Sequence, residues 1–226
     1  MNNTPYCAQE AIPMNTQNHY RLESGQETQM YTAIASGGIY RIVNAIAPTL
    51  PYHNMPHNVD VAARCRHYAL HERLTNTDAL VLESAALFHD AVYVIGRKDN
   101  EEESVKVAEK TLPALGYRTK TIDMITQLIM ATKLPTAPKD IGEEIICDSD
   151  IDNLGREDFW EKAERVRQEA NVDTNLWYGA LLPKFLSGVK YYTKSARQER
   201  ESRVAVYQEL LATNNYQQYL WTMPTQ

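Results

Sequence analysis

From Thr77 to about Val94 the chain is apolar around almost the whole circumference of a helix. At roughly 100° per residue, Leu80, Val81, Leu82, Ala85, Ala86, Leu87, Phe88 and Val92 surround the axis. A helix without a polar face has no side to give to water, so it belongs at the centre of a bundle with other helices laid around it. Elsewhere no stretch alternates apolar and polar residues for long, whereas i, i+3, i+4 recurrences are common. The expected fold class is therefore all α.

The surrounding helices can be read from their stops and caps. One fits Glu27 to Ala47, stopped by Pro48 and weakened or bent at Gly37 and Gly38. A second fits Pro56 to Arg73, with proline in its favoured first turn. The central helix takes Thr77 as N-cap and ends at Gly96. Another follows Asp99 or Asn100, carries acids in its first turn as the helix dipole prefers, and ends near Pro113 and Gly116. Thr121 to Thr132, Ile141 to Leu154 (closed by Gly155), Arg156 to Ala170, Thr174 to Tyr192 with a kink at Pro183, and Ser195 to about Leu211 complete the set. No repeat and no linker rich in Pro, Gly or Ser divides the chain. The expected organisation is an irregular N-terminal leader, 1–25, and one helical domain, 26–226.

Composition excludes several classes of function. Twenty-three basic and 29 acidic residues leave a net charge of −6, so binding to a nucleic acid polymer through phosphate neutralisation has little support. Three cysteines, Cys7, Cys65 and Cys147, lie far apart and outside any C-x-x-C spacing, which argues against a disulfide framework or a zinc knuckle and for a reducing cytoplasm. The N-terminus lacks the positive flank and apolar run of a secretory signal. Ala79 to Ile95 is interrupted by Glu83, His89 and Asp90 and is too short to span a bilayer.

Three clusters carry chemistry. His89 and Asp90 sit inside the apolar run, where an ionised carboxylate without a partner costs several kcal/mol, so Asp90 needs a cation, a metal or donor hydrogen bonds. Taken alone the pair reads as a hydrogen-bonded structural pair. Upstream, in Tyr52-His53-Asn54-Met55-Pro56-His57-Asn58-Val59-Asp60-Val61, His57 falls in the first turn of the second helix and His53 just before it, so both imidazoles can point into one cavity. Downstream, Ile146, Cys147, Ile151 and Leu154 form an apolar stripe that includes Asp150, the acid expected to be buried, whereas Asp148 and Asp152 point to the opposite side and read as solvated or capping acids.

His57, His89-Asp90 and Asp150 follow the ligand order His, His-Asp, Asp, and here the chain resembles the HD superfamily of metal-dependent phosphohydrolases. The first segment is also similar to the H-N-x-x-H-x-x-D-V signature of cyclic nucleotide phosphodiesterases, through His53, Asn54, His57, Asp60 and Val61. More closely, it resembles a bacterial group of predicted HD phosphohydrolases. There Phe88 and Tyr93 flank the pair, Asn100-Glu101-Glu102-Glu103-Ser104 follows as N-E-E-x-S, Ala131 to Lys133 as A-T-K, and Asp148 to Gly155 as D-x-D-x-x-x-L-G. The likeness spans roughly residues 30 to 210. One departure is that Leu134 and Pro135 stand where a histidine is expected soon after A-T-K, so the resemblance does not imply a second protein-bound metal.

The resemblance implies a single-domain, all-α HD-type helical bundle with a divalent ion on His57, His89, Asp90 and Asp150. Two imidazoles and two carboxylates suit Mn, Fe, Zn, Co or Ni about equally and Mg less well. Such an ion acidifies water and polarises a phosphoryl group. His53, too early in its helix to be an obvious ligand, is placed to protonate a leaving oxygen, and Asp90 serves both ligation and catalysis. Lys133 and Arg64 are candidates for holding phosphate oxygens and Glu101 or Glu102 for orienting water, each with an exposed-surface alternative; Tyr93, just after the pair, is the tyrosine expected near substrate. His67 and His71 share one helix face three or so turns from His57, which favours a surface or packing role over a share in that metal.

The expected activity is hydrolysis of a phosphoester of a small phosphorylated molecule, with a nucleotide favoured. Two rivals stand beside it: a non-catalytic metal- or nucleotide-binding regulatory protein on the same fold, and an HD-type di-iron oxygenase, which needs more histidines. Alarmone hydrolysis ranks low because Ala91, Val92, Tyr93 and Val94 replace the usual H-D-x-x-E-D continuation. The tail from Asn214 to Gln226, with Tyr219, Leu220 and Trp221, is expected to pack on its own domain or to meet a second copy.

Overall fold

The computed structural model describes residues 37–220, together with 25, 30 and 32–34. The expected leader, most of the Glu27 to Gly37 segment, Cys7 and Trp221 lie outside the described residues. Among those described, every regular element is helical, which bears out the all-α class. No helix among them is long and apolar enough to cross a membrane.

The elements in chain order are α1 (Gly38–Asn44), α2 (Met55–His71), α3 (Asn76–Phe88), α4 (Asn100–Thr111), α5 (Thr119–Ala131), α6 (Ile141–Asp150), α7 (Phe159–Glu169), α8 (Thr174–Leu176), α9 (Leu182–Ser187), α10 (Lys194–Ala212) and α11 (Gln217–Leu220). Helix α3 is the centre. Every residue from Thr77 to Phe88 is buried, and α1, α2, α4, α5 and α6 all pack on it. Its start is a capping box in which Thr75 Oγ1 accepts from the Asp78 amide at 3.2 Å while Asp78 Oδ2 accepts from the Thr75 amide at 2.9 Å. Thr75, not Thr77, is therefore the N-cap.

The helix also stops earlier than its apolar pattern, at Phe88 rather than Val94. The reason is a competing set of side-chain bonds. Asn100 Oδ1 accepts from the Val94 amide at 2.9 Å, its Nδ2 donates to the Val94 carbonyl at 3.2 Å, and Ser104 Oγ bonds the Val92 amide at 3.1 Å. These bonds satisfy the backbone outside a helix. Asn100 and Ser104 are the first and last residues of the N-E-E-x-S segment, whose physical task is thus to hold the chain just after His89-Asp90.

A second departure follows α6. Ile141 to Leu154 is not one helix: the α-helix ends at Asp150 and a 3₁₀ turn, Asp152–Gly155, takes over. That turn packs against α10. Asp152, expected to be a solvated or capping acid, is buried and receives Tyr68 Oη, Arg200 Nε at 2.6 Å and an Arg156 nitrogen at 3.3 Å. Arg156 also reaches Asp60 at 2.9 Å, linking α2 to the turn. Gly155 lets α10 come close, since a Cβ there would lie 2.8 Å from the Arg200 Cα.

Asp148 is likewise fully buried, whereas Asp150, the acid expected inside, is partly exposed, so the helical-wheel ranking of the two is reversed. It accepts from the amides of Tyr192 at 2.8 Å and Thr193 at 2.7 Å and from Thr193 Oγ1 at 2.7 Å, and so caps the approach to α10. The expected helix Thr174 to Tyr192 is α8, a π-helical turn (Trp177–Leu181) and α9, ending at Ser187. Cys65 and Cys147 are buried free thiols. Tyr219 stacks on Trp160 at 5.3 Å between ring centroids, so that part of the tail packs on its own domain.

Candidate metal centre

Three helix termini deliver the cluster. Asn54 caps α2 by accepting from the His57 amide at 3.1 Å, which fixes His57 in the first turn. Asn58, one residue on, donates from Nδ2 to the Leu87 carbonyl at 3.2 Å and ties that turn to the end of α3. His89 is the C-terminal cap of α3, Asp90 follows it, and Asp150 is the last residue of α6. His57, His89 and Asp90 are buried, and one ligand atom from each of these and from Asp150 lies within 4.8 Å of the others.

The contacts inside the cluster are close. His57 Nε2 lies 3.2 Å from Asp150 Oδ1 and 3.6 Å from Asp90 Oδ2; His89 Nε2 lies 3.3 Å from each of the same two oxygens. His89 Nδ1–H donates to the Ala86 carbonyl at 2.7 Å, which fixes the tautomer and leaves Nε2 with a lone pair aimed inward. That Nε2 is fully buried and makes no hydrogen bond, a costly state for a polar atom unless a cation meets it.

Electrostatics point the same way. Burial alone would depress the imidazole of His89, but Asp90 and Asp150 outweigh it and hold the ring well above the ordinary histidine range; His57 is raised by the same pair against the same burial. Burial would raise the two carboxyls, yet the facing imidazoles hold Asp90 well below its usual value and Asp150 below it too. The four groups together favour positive charge between them. Two nitrogens and two carboxylates are a fitting donor set for a divalent ion.

His53 stands beside this cluster. Its Nε2 is 4.0 Å from Asp90 Oδ2, and its ring is stacked on Tyr93 at 3.6 Å between centroids. Its other nitrogen, Nδ1, is bonded to Glu169 Oε1, while Glu169 Oε2 accepts from the amides of Tyr52 at 3.0 Å and His53 at 2.9 Å. Glu169 is the last residue of α7, buried, and kept ionised by the His53 contact against its own burial. Sequence reasoning missed it. Its partner lies 116 residues away, and nothing in R-Q-E-A-N distinguishes it from any acid at a helix end.

The remaining candidates divide. Tyr93 joins the cluster through His53. Glu101 is half-buried, and burial, with a smaller push from Asp90, moves its carboxyl upward. Lys133 is paired with Glu102, so neither is free in this arrangement. Arg64 is half-buried on α2 with an unpartnered Nε. His67 and His71 converge elsewhere, with Glu199 of α10.

No protein-family profile matches the chain, and no curated protein matches it. Among solved structures it is similar to that of Bacillus subtilis YpgQ, crystallised in complex with ADP, with a TM-score of 0.59 and 18% identity over 83% of this chain and 97% of that one. At that identity the likeness establishes a shared fold.

Proposed function

We propose that this protein is a metal-dependent phosphohydrolase that cleaves a phosphoester of a small phosphorylated molecule, a nucleotide by preference. One observation carries the reading: a quartet of His57, His89, Asp90 and Asp150, the first three buried, with an orphaned imidazole nitrogen, flanked by a histidine that a carboxylate holds from behind. The fold neighbour's complex with ADP supports the nucleotide preference.

His57, His89, Asp90 and Asp150 would hold the divalent ion, which supplies Lewis acidity to a water and to a phosphoryl oxygen. The chain's own groups do the rest. Glu169 accepts from His53 Nδ1–H, so that Nε2 is the atom presented to the site and can donate its proton to the leaving oxygen. Tyr93 closes over the face of that ring and fixes its plane. Asp90, 4.0 Å from His53 Nε2, keeps the proton-bearing nitrogen turned toward the reacting phosphate. Glu101 is positioned to orient water from the α4 side. Lys133 would hold a phosphate oxygen by exchanging its bond to Glu102 for one to substrate, and Arg64 would do so from α2.

The test is elemental analysis of protein purified without chelator, followed by a phosphoester panel with each candidate ion restored. About one tightly held ion per chain and ion-dependent turnover of nucleoside phosphates are expected. Ion retention and nucleotide binding without any hydrolysis would replace the reading with a regulatory binding protein. An iron absorption band in the visible would replace it with the oxygenase.

A further inference from the structure

We infer that His67, His71 and Glu199 form a second divalent-metal site, separate from the quartet around His89, suited to a borderline ion such as zinc. His67 and His71 are four residues apart near the C-terminal end of α2, and Glu199 comes from α10; one ligand atom of each lies within 4.8 Å of the other two. His67 Nε2 meets Glu199 Oε1 at 2.7 Å, and the two imidazole centroids are 4.0 Å apart. At about 1.5 Å of rise per residue, these histidines lie roughly 15–20 Å along α2 from His57, so the two sites cannot share an ion.

Two features distinguish this group from an incidental surface contact. His71 Nδ1–H donates to the His67 carbonyl at 2.8 Å, which fixes the ring and leaves Nε2 with the lone pair that a metal takes. Glu199 is held from behind as well: Arg200 reaches its Oε2 at 3.1 Å, leaving Oε1 as the ligand atom. Two imidazoles and one carboxylate are a three-ligand N/O set with a fourth position open to solvent, since the group is only partly buried. Ligand atoms on a tetrahedral ion sit roughly 3.3 Å apart, so the His67–Glu199 contact would open by about 0.6 Å on binding. An ion here would pin α10 to α2, the helix that carries His57 at its other end.

Zinc titration of the chelator-stripped full chain, followed by equilibrium dialysis and by thermal midpoint, tests this. Wild type should take up one ion more per chain than H71A, and D150A should lose the other ion while keeping this one. E199Q should weaken the second affinity at least about tenfold. In the D150A background zinc should still raise the midpoint in a concentration-dependent manner, and adding H71A should abolish that rise. His71 is exposed at a helix end, so H71A folds even if E199Q does not. Equal zinc stoichiometry in wild type and H71A, or no zinc-dependent stabilisation of D150A, would overturn the site and leave a His67–Glu199 ion pair only.

Discussion

Replacing Glu169 by glutamine should disable proton donation by His53 while leaving the metal centre and the fold intact. The carboxylate makes three contacts: two amides at 2.9 and 3.0 Å and the imidazole Nδ1. Alanine would strand both amides, at a cost of about 1.5–3 kcal/mol for each bond to a charged acceptor, enough to confuse a loss of structure with a loss of chemistry. Glutamine keeps one oxygen for the amides but turns an amide nitrogen, a donor, toward Nδ1. A ring carrying protons on both nitrogens would then face a donor with a donor, and the ring that can surrender a proton from Nε2 is disfavoured. The rate toward esters with poor leaving groups should fall by about 10²–10⁴, the usual worth of a positioned acid. A nitrophenyl phosphate, whose leaving group needs little protonation, should lose far less. Metal content should stay unchanged and the thermal midpoint nearly so. Equal losses on both substrates, or none on either, would refute the assignment of His53 as acid and of Glu169 as its positioning residue.

Other substitutions probe the frame. D150A should abolish retention of the ion, whereas D148A should keep it and instead lose about 2–5 kcal/mol of stability, because three short bonds to Tyr192 and Thr193 disappear; metal analysis and denaturant unfolding separate the two, and the opposite ranking would refute the assignment. Because Asp90 and Asp150 hold His57 and His89 in the protonated form above the ordinary histidine range, an ion must displace those protons. Its affinity should therefore weaken as pH falls, by up to about tenfold per unit for each proton displaced. Calorimetry in buffers of different ionisation enthalpy should detect that release, and a flat affinity with no released protons would contradict it. G155A should cost about 1–3 kcal/mol, since the new methyl would lie 2.5 Å from the Arg200 Cβ and α10 would have to back away; an unchanged thermal midpoint would show that the approach is slack.

The central helix was legible because burial on every side is written in its composition. The quartet was legible because three of its members sit at a helix start or inside that apolar run. What could not be read was partnership at a distance. A wheel that assumes one continuous helix to Leu154 turns Asp148 and Asp152 outward as solvated or capping acids. The change to a 3₁₀ turn after Asp150 alters the direction of every later side chain, and the donors that make burial affordable, Thr193 and Arg200, stand 45 and 48 residues downstream. The early end of α3 shows the same limit. Hydrophobic pattern carries the helix to Val94, and only the side chains of Asn100 and Ser104, from the next element, stop it at Phe88. His67 and His71 were placed on one face correctly, but their third partner belongs to α10.

The two ends of the quartet, His57 and Asp150, are separated by 93 residues of chain, and the middle pair lies between them. An unfolded polypeptide can offer an ion only a local pair at a time, His53 with His57 or His89 with Asp90, and closing the long loop to Asp150 must be driven by helix packing first. Ion capture is therefore a late event in folding, and an ion added early cannot act as a nucleus. The same order runs backwards. Any excursion that undocks α6 removes Asp150 before the rest of the domain opens, so the dissociation rate of the ion should report the local opening of that one helix and not global unfolding.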